Sequence, residues 1–234
     1  MRFPAVLLND IRFQVKYGFY FLYAFFSLFY IAILYFCPGD YKDRAASIIV
    51  LSDPAMLGSF FIGGIWLLEK GEGLHGFWAV SPIRPAEYTF SKAVSLGLIS
   101  TLAAACIILA GGIRDVRFPV LIVSVFLGSM IFTVLGLLIA SYARSVNHYM
   151  LLVVPLQIAV LVPPVLAVFG FTSPILGILP GMALWQIICY SIGMAGDPGI
   201  VFPVIILAVW LGAAFFLAGR RIPAAIQAGE GGSV

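Results

Sequence analysis

The sequence predicts an all-α membrane protein. Six transmembrane helices follow an N-terminal interfacial helix, and a short amphipathic helix lies in one of the loops. Three observations predict this. Of the 234 residues, 62% are hydrophobic and only 10% are charged, with a mean hydropathy of +1.11; a soluble domain carries about a quarter of its residues as charged side chains. Six windows meet or approach the roughly 20 mostly apolar residues that a spanning helix needs: 18–36, 48–68, 90–111, 118–142, 149–170 and 200–218. None shows the two-residue alternation of a barrel strand, so helices are the spanning solution. Between two of these windows, residues 67–92 carry six charged side chains. The chain 1–234 is one transmembrane domain, with little left over for a soluble one.

Residues 1–17 do not form a secretory signal, because no short apolar core with a small-residue cleavage site follows them; the N-terminus is expected to be retained. Asn9, Arg12 and Lys16 fall on one helical face and Leu8, Ile11 and Val15 on the other. That pattern predicts an interfacial helix, the alternative being a frayed extension of the first span. At the outer end of the second window stands Ser52-Asp53-Pro54. Asp53 is the one acid near a span interior, a position that defaults to function. It serves equally as a helix cap, with Pro54 at the first helical position. If the helix starts there, Met56 and Phe60 follow on the same face, as an outer surface for an amphipathic cation.

The loop 69–89 is too amphipathic for a passive connector. Leu74, Phe77, Trp78 and Val80 form one face of a short helix, which Ser81-Pro82 ends. A short surface helix between two spans suits docking to a partner. Small residues recur in span three (Gly97, Thr101, Ala105) and span four (Ser129, Thr133, Gly136, Ala140), a pattern that lets helices pack closely within the molecule. Span five contains Pro155, Pro163 and Pro164, which predict a kink near the last two. The outer segment 171–199 is apolar but broken by Pro174, Pro180 and Pro198. Its stretch 179–192 is too short to cross and predicts a re-entrant or interfacial helix, with Trp185 and Tyr190 at headgroup depth; a plain outer loop is the alternative.

Lys and Arg set the orientation. Nine of them (Arg2, Arg12, Lys16, Lys70, Arg84, Lys92, Arg144, Arg220, Arg221) fall on one face and four (Lys42, Arg44, Arg114, Arg117) on the other. The excess places both termini and the 67–92 loop in the cytoplasm. The net charge of +3 is no nucleic-acid signal. Cys37, Cys106 and Cys189 are isolated and build neither a disulfide framework nor a metal site. There is no phosphate-binding loop of the Gly-Lys-Ser/Thr kind, so the chain binds no ATP by that route, and no cofactor or metal is expected on it. His75 and His148 lie far apart in sequence, and His148 beside Arg144 sits at a helix end where a polar residue needs no catalytic explanation.

On these residues the chain resembles the permease subunits of ABC-2-type exporters, whose type V fold has this order of elements. The similarity rests most on the cytoplasmic loop: Glu69-Lys70, Glu72-Gly73, the apolar helix 74–80, Ser81-Pro82 and Lys92. Gly71 and Leu74 depart from the family's usual charged and small hydroxyl residues. The segment 57–72 with Gly63-Gly64, together with Arg84, Glu87-Tyr88, Pro163-Pro164 and Leu179-Pro180, is similar to the subgroup labelled fluoroquinolone export permeases. The resemblance implies a prokaryotic cytoplasmic-membrane exporter. A separate ABC ATPase subunit would use ATP and magnesium, and a second permease subunit, identical or related, would complete the pathway. It implies a coupling site of Glu69, Lys70, Glu72, Gly73, Leu74, Phe77, Trp78, Pro82, Arg84, Glu87 and Lys92. It also implies a substrate path of Asp53, Met56, Phe60, Val153 and Gln157, lined by spans two and five. The cargo would be a small amphipathic compound, a drug among the possibilities, or a lipid-like substrate. The other classes are an ATPase-independent transporter or channel and a non-transporting immunity or structural module.

Overall fold

The computed structural model describes residues 3–52, 56–80, 83–171, 173–195 and 199–228; among them there are helices and no strand. In chain order they are α1 (Phe3–Lys16), α2 (Phe19–Phe36), α3 (Gly39–Val50), α4 (Leu57–Gly71), α5 (Leu74–Val80), α6 (Pro85–Gly111), α7 (Phe118–Ala140), α8 (Val146–Val168), α9 (Pro180–Ser191) and α10 (Val201–Ala228). Five of these, α2, α6, α7, α8 and α10, are long and apolar enough to cross a bilayer.

The expected second span over 48–68 falls on two described helices, with residues 53–55 between them outside the described residues. That window takes in the end of α3 and most of α4, and α3 is a separate helix that starts back at Gly39. The fifteen residues of α4 reach about 22 Å at 1.5 Å per residue, short of the roughly 30 Å hydrocarbon layer. Asp53 and Pro54 themselves lie outside the described residues, as do Ser81, Pro82 and Pro198.

α7 is the central post of the bundle. Its small residues do what the sequence pattern predicts: Ser129, Thr133, Gly136 and Ala140 are buried. Gly58 of α4 faces Ser129 and Thr133, and Gly136 faces Ser59 and Ile62 of α4. With no Cβ at either glycine, the two backbones approach closely, and dispersion contacts replace a hydrophobic drive that lipid does not supply. On the opposite side, Gly97 of α6 packs on Phe126 and Met130 of α7. A polar line crosses this packing: Tyr23 of α2 pairs with Ser100 of α6 at 3.0 Å, and Ser129 of α7 donates to Ser100 at 2.9 Å.

α9 is the short helix expected before the last span. It is buried at the end of the bundle away from α5, against α7, α8 and α10. Gly181 lies directly on the Val160 carbonyl, Trp185 donates to Ser47 of α3 at 3.0 Å, and the Arg117 backbone N–H donates to the Ser191 carbonyl at 2.7 Å. α8 continues as one helix through Pro155, Pro163 and Pro164. Large apolar side chains stay exposed on α2 (Phe21, Phe25, Leu28), α8 (Leu151, Ile158) and α10 (Val201, Val209), as helices facing lipid require.

Candidate functional site

The charged loop folds where α4 leaves the bundle. Gly73 makes the turn, at a φ of 72° that residues with a Cβ seldom adopt. α5 then runs for only seven residues, too short to hold itself together in water. Tertiary contacts hold it instead. His75 is 3% exposed and stacks on Trp66, with ring centroids 4.2 Å apart. Trp78 packs on Tyr88 at 5.6 Å and, with Tyr88, faces Pro223 and Ile226 of α10. Burial, helped by Lys70 and Lys92, lowers the His75 pKa to about 4, so the ring is neutral at neutral pH. Phe77 points the other way and is 60% exposed. Leu74, Phe77 and Trp78 line one groove beside α1; Phe77 is exposed, Leu74 and Trp78 are half-buried, and the Trp78 ring also packs back on Tyr88.

Beneath α5 lies a buried ionic cluster. Lys92 of α6, 1% exposed, donates to Asp10 of α1 at 2.6 Å and to Glu69 of α4. Tyr88 donates to the second Glu69 oxygen at 2.6 Å, and Ser91 to the second oxygen of Asp10. One turn along α1 from Asp10, Gln14 donates to Ser95 at 2.7 Å, one turn along α6 from Ser91. The Lys92 ammonium also lies 5.2 Å from the Tyr88 ring and 5.6 Å from that of Phe13, a favourable cation–π placement. Burial raises the Asp10 pKa against the pull of Lys92. Nearby, Tyr17 donates to Glu72, a bond that raises the phenol pKa and ties the α1–α2 junction to the α4–α5 turn. Glu87 accepts from the Arg84 backbone N–H at 2.9 Å and, with Pro85, caps the start of α6. Lys70, Glu72, Gly73 and Arg84 are exposed.

The cluster joins three helices, α1, α4 and α6, that lie far apart in sequence. A buried network in which Lys92, Asp10, Glu69, Tyr88 and Ser91 are bonded to one another stiffens the junction it occupies. Among the described residues no group of three or more His, Cys, Asp or Glu side chains is placed to hold a metal. Sequence reasoning brought Glu69 and Lys92 to one membrane surface but missed Asp10, Gln14, Tyr88 and Ser91. A signal existed: Asp10 is the only acid before Asp40, and the four-residue step from Asp10 to Gln14 matches that from Ser91 to Ser95.

Of the expected path residues, Asp53 lies outside the described residues, Met56 and Phe60 stand at the start of α4, and Val153 and Gln157 stand on α8. Met56 and Val153 are buried, and Phe60 and Gln157 are half-buried. Gln157 donates to Ser59 at 2.6 Å, and the Tyr149 hydroxyl donates to the Ser59 carbonyl. The Tyr149 ring occupies the space a side chain at Gly63 would need.

Five long apolar helices packed around a small polar-glycine core, with a charged loop at one end, define a multi-pass membrane protein. The model of the Fluoroquinolones export permease protein family matches residues 1–221, and the chain belongs to that family. It is similar to the proteins named fluoroquinolones export permease in two strains of Mycobacterium tuberculosis, at 27% identity over 233 residues. The match covers 94% of this chain and 95% of each relative.

Proposed function

We propose that the chain is the membrane subunit of an ATP-driven exporter of small amphipathic compounds, worked by a separate ATPase subunit that docks on α5. The arrangement of α5 carries this reading. One face holds the helix to the bundle through His75 and Trp78, and the other presents Phe77. The segments that enter and leave α5 are joined underneath by Lys92 and Glu69. A push on α5 therefore reaches α4, α6 and α1 together rather than bending a loop. The chain has no phosphate loop, so ATP and magnesium belong to the partner.

In this reading α2, α3 with α4, α6, α7, α8 and α10 make six crossings, and α9 is re-entrant. Both termini and α5 face the cytoplasm of a prokaryotic cell. Two permease subunits enclose the path, which α4 and α8 line through Met56, Phe60, Val153 and Gln157. The bond between Gln157 and Ser59 holds the two helices together in this state and must open for cargo to pass, a two-state change that ATP binding biases. The relatives' name makes fluoroquinolone-type drugs the first cargo to test. An ATPase-independent carrier would use the same buried charges, but these lie at the α5 end rather than midway along the spans, where ion-coupled carriers place them.

The test is reconstitution with a candidate ABC ATPase subunit from the same genome. Drug-stimulated ATP hydrolysis and nucleotide-dependent drug accumulation in inverted vesicles are expected. Drug movement by the permease alone, down an ion gradient without nucleotide, would overturn the reading. Labelling of Glu72→Cys from outside intact cells, in a chain lacking its own cysteines, would reverse the orientation.

A further inference from the structure

We infer that the groove between α1 and α5 seats a cationic side chain, arginine before lysine, supplied by the partner ATPase. The inference rests on the exporter reading above and adds which surface is the socket and what charge enters it. The groove has a volume of about 420 Å³, and its walls include Ala5, Val6, Asn9, Glu69, Phe77 and Trp78. It opens beside the exposed ring of Phe77, on the surface that α5 presents.

Two features select the occupant. The first is charge. The cluster behind the groove holds two carboxylates, Asp10 and Glu69, and among the described residues Lys92 is the one cation paired with either. Tyr88 and Ser91 donate hydrogen bonds to them but bring no charge. One negative charge is therefore left over in a buried place, where an uncompensated ion is costly. Glu69 carries that charge into the groove wall. Burial pushes the Asp10 pKa up against the pull of Lys92, and a cation arriving at the Glu69 wall relieves the surplus negative charge. The second feature is the lining. Val6, Phe77 and Trp78 suit the aliphatic stem of a long basic side chain, and the aromatic faces of Phe77 and Trp78 favour the weakly hydrated guanidinium over the ammonium. An anionic or purely apolar side chain would leave the excess charge as it is.

The test changes the sign of the groove at its rim without touching α5 or the cluster. Asn9 and Ala5 are exposed, so their variants leave the core intact, which gel filtration of each purified permease checks. Affinity-tagged permease is co-purified with the candidate ABC ATPase subunit. Asn9→Lys should weaken retention at least tenfold, Asn9→Asp should keep or strengthen it, and Ala5→Trp, which fills the groove, should weaken it as Asn9→Lys does. Equal retention by Asn9→Lys and Asn9→Asp, whether high or low, would overturn the inference, as would full retention by Ala5→Trp. Weaker retention by Asn9→Asp than by Asn9→Lys would do the same and would assign an anionic group to the groove. A wild-type permease that retains no ATPase would remove the exporter reading itself, a result distinct from every variant outcome.

Discussion

Lys92→Met removes the one ammonium that holds Asp10 and Glu69 together and keeps the side chain's volume. Lys92 is 1% exposed and its two partners are 1% and 2% exposed, so water does not replace the lost charge. Breaking a buried pair by deleting one partner costs about 3–5 kcal/mol. Here the deletion leaves two carboxylates facing each other. Asp10→Asn should behave differently. It takes away the surplus negative charge and keeps one side-chain oxygen to accept from Lys92, while its NH2 can donate to the Ser91 hydroxyl, so its cost should stay near that of one hydrogen bond, about 0.5–1.5 kcal/mol. The assay is the thermal midpoint of purified permease in detergent, at pH 7.5 and pH 5. The pH arm carries its own sign. Burial already raises the Asp10 pKa, and loss of the ammonium raises it further. Folded Lys92→Met then holds a proton that the unfolded chain releases near 3.9. Stability from that proton is present at low pH and lost as pH rises through the folded value. The deficit of Lys92→Met should therefore shrink at pH 5. An Asp10→Asn midpoint as low as that of Lys92→Met, or a deficit that grows at pH 5, would refute the cluster's role.

Three further outcomes follow from the same geometry. Phe77→Ala should weaken ATPase retention by about 2 kcal/mol or more, the usual size of an exposed anchor's effect, and leave the permease's own midpoint unchanged; Trp78→Ala should lower that midpoint, because its ring packs on Tyr88 within the chain. The permease should lose stability as pH falls from 6.5 toward 4, since unfolded His75 takes a proton near 6.5 and the folded ring only near about 4; His75→Phe should flatten that acid limb, and an unaltered limb would exclude His75 as its source. Gly181→Ala should destabilise by about 1–3 kcal/mol, because the Val160 carbonyl is backbone and cannot turn aside, whereas Gly212→Ala has nothing within 4 Å of the new Cβ and should not; equal midpoints for the two would show that α9 does not pack on α8 as described.

The first helix shows where legibility stopped. The separation of Asn9, Arg12 and Lys16 from Leu8, Ile11 and Val15 correctly predicts a helix before the first span. It does not name the face that meets the protein. The buried residues are Val6, Asp10 and Gln14, while Leu8 and Val15 are exposed. A polar face turned inward is stable only because Lys92, Ser91 and Ser95 wait for it some eighty residues later. The loop helix has the same history. Its apolar positions were visible, but which ring anchors it and which ring it presents depended on Trp66, Tyr88 and α10.

The sequence by itself determined that this is a helical membrane protein, where its long apolar helices run, which stripes of small residues pack, and that the 67–92 loop is its chemically distinctive segment. Those properties are local: hydropathy over about 20 residues, a missing phosphate loop and glycine spacing can each be counted along one stretch of chain. Only the tertiary structure decided that Asp10, Glu69 and Lys92 form one site, that α4 and α8 are tied through Ser59, and that Phe77 is exposed while the Trp78 ring packs back on Tyr88. Each of these is a pairing between distant segments. The cost of burying a charge or a polar group is settled by the partner it meets, and no short window of sequence contains that partner.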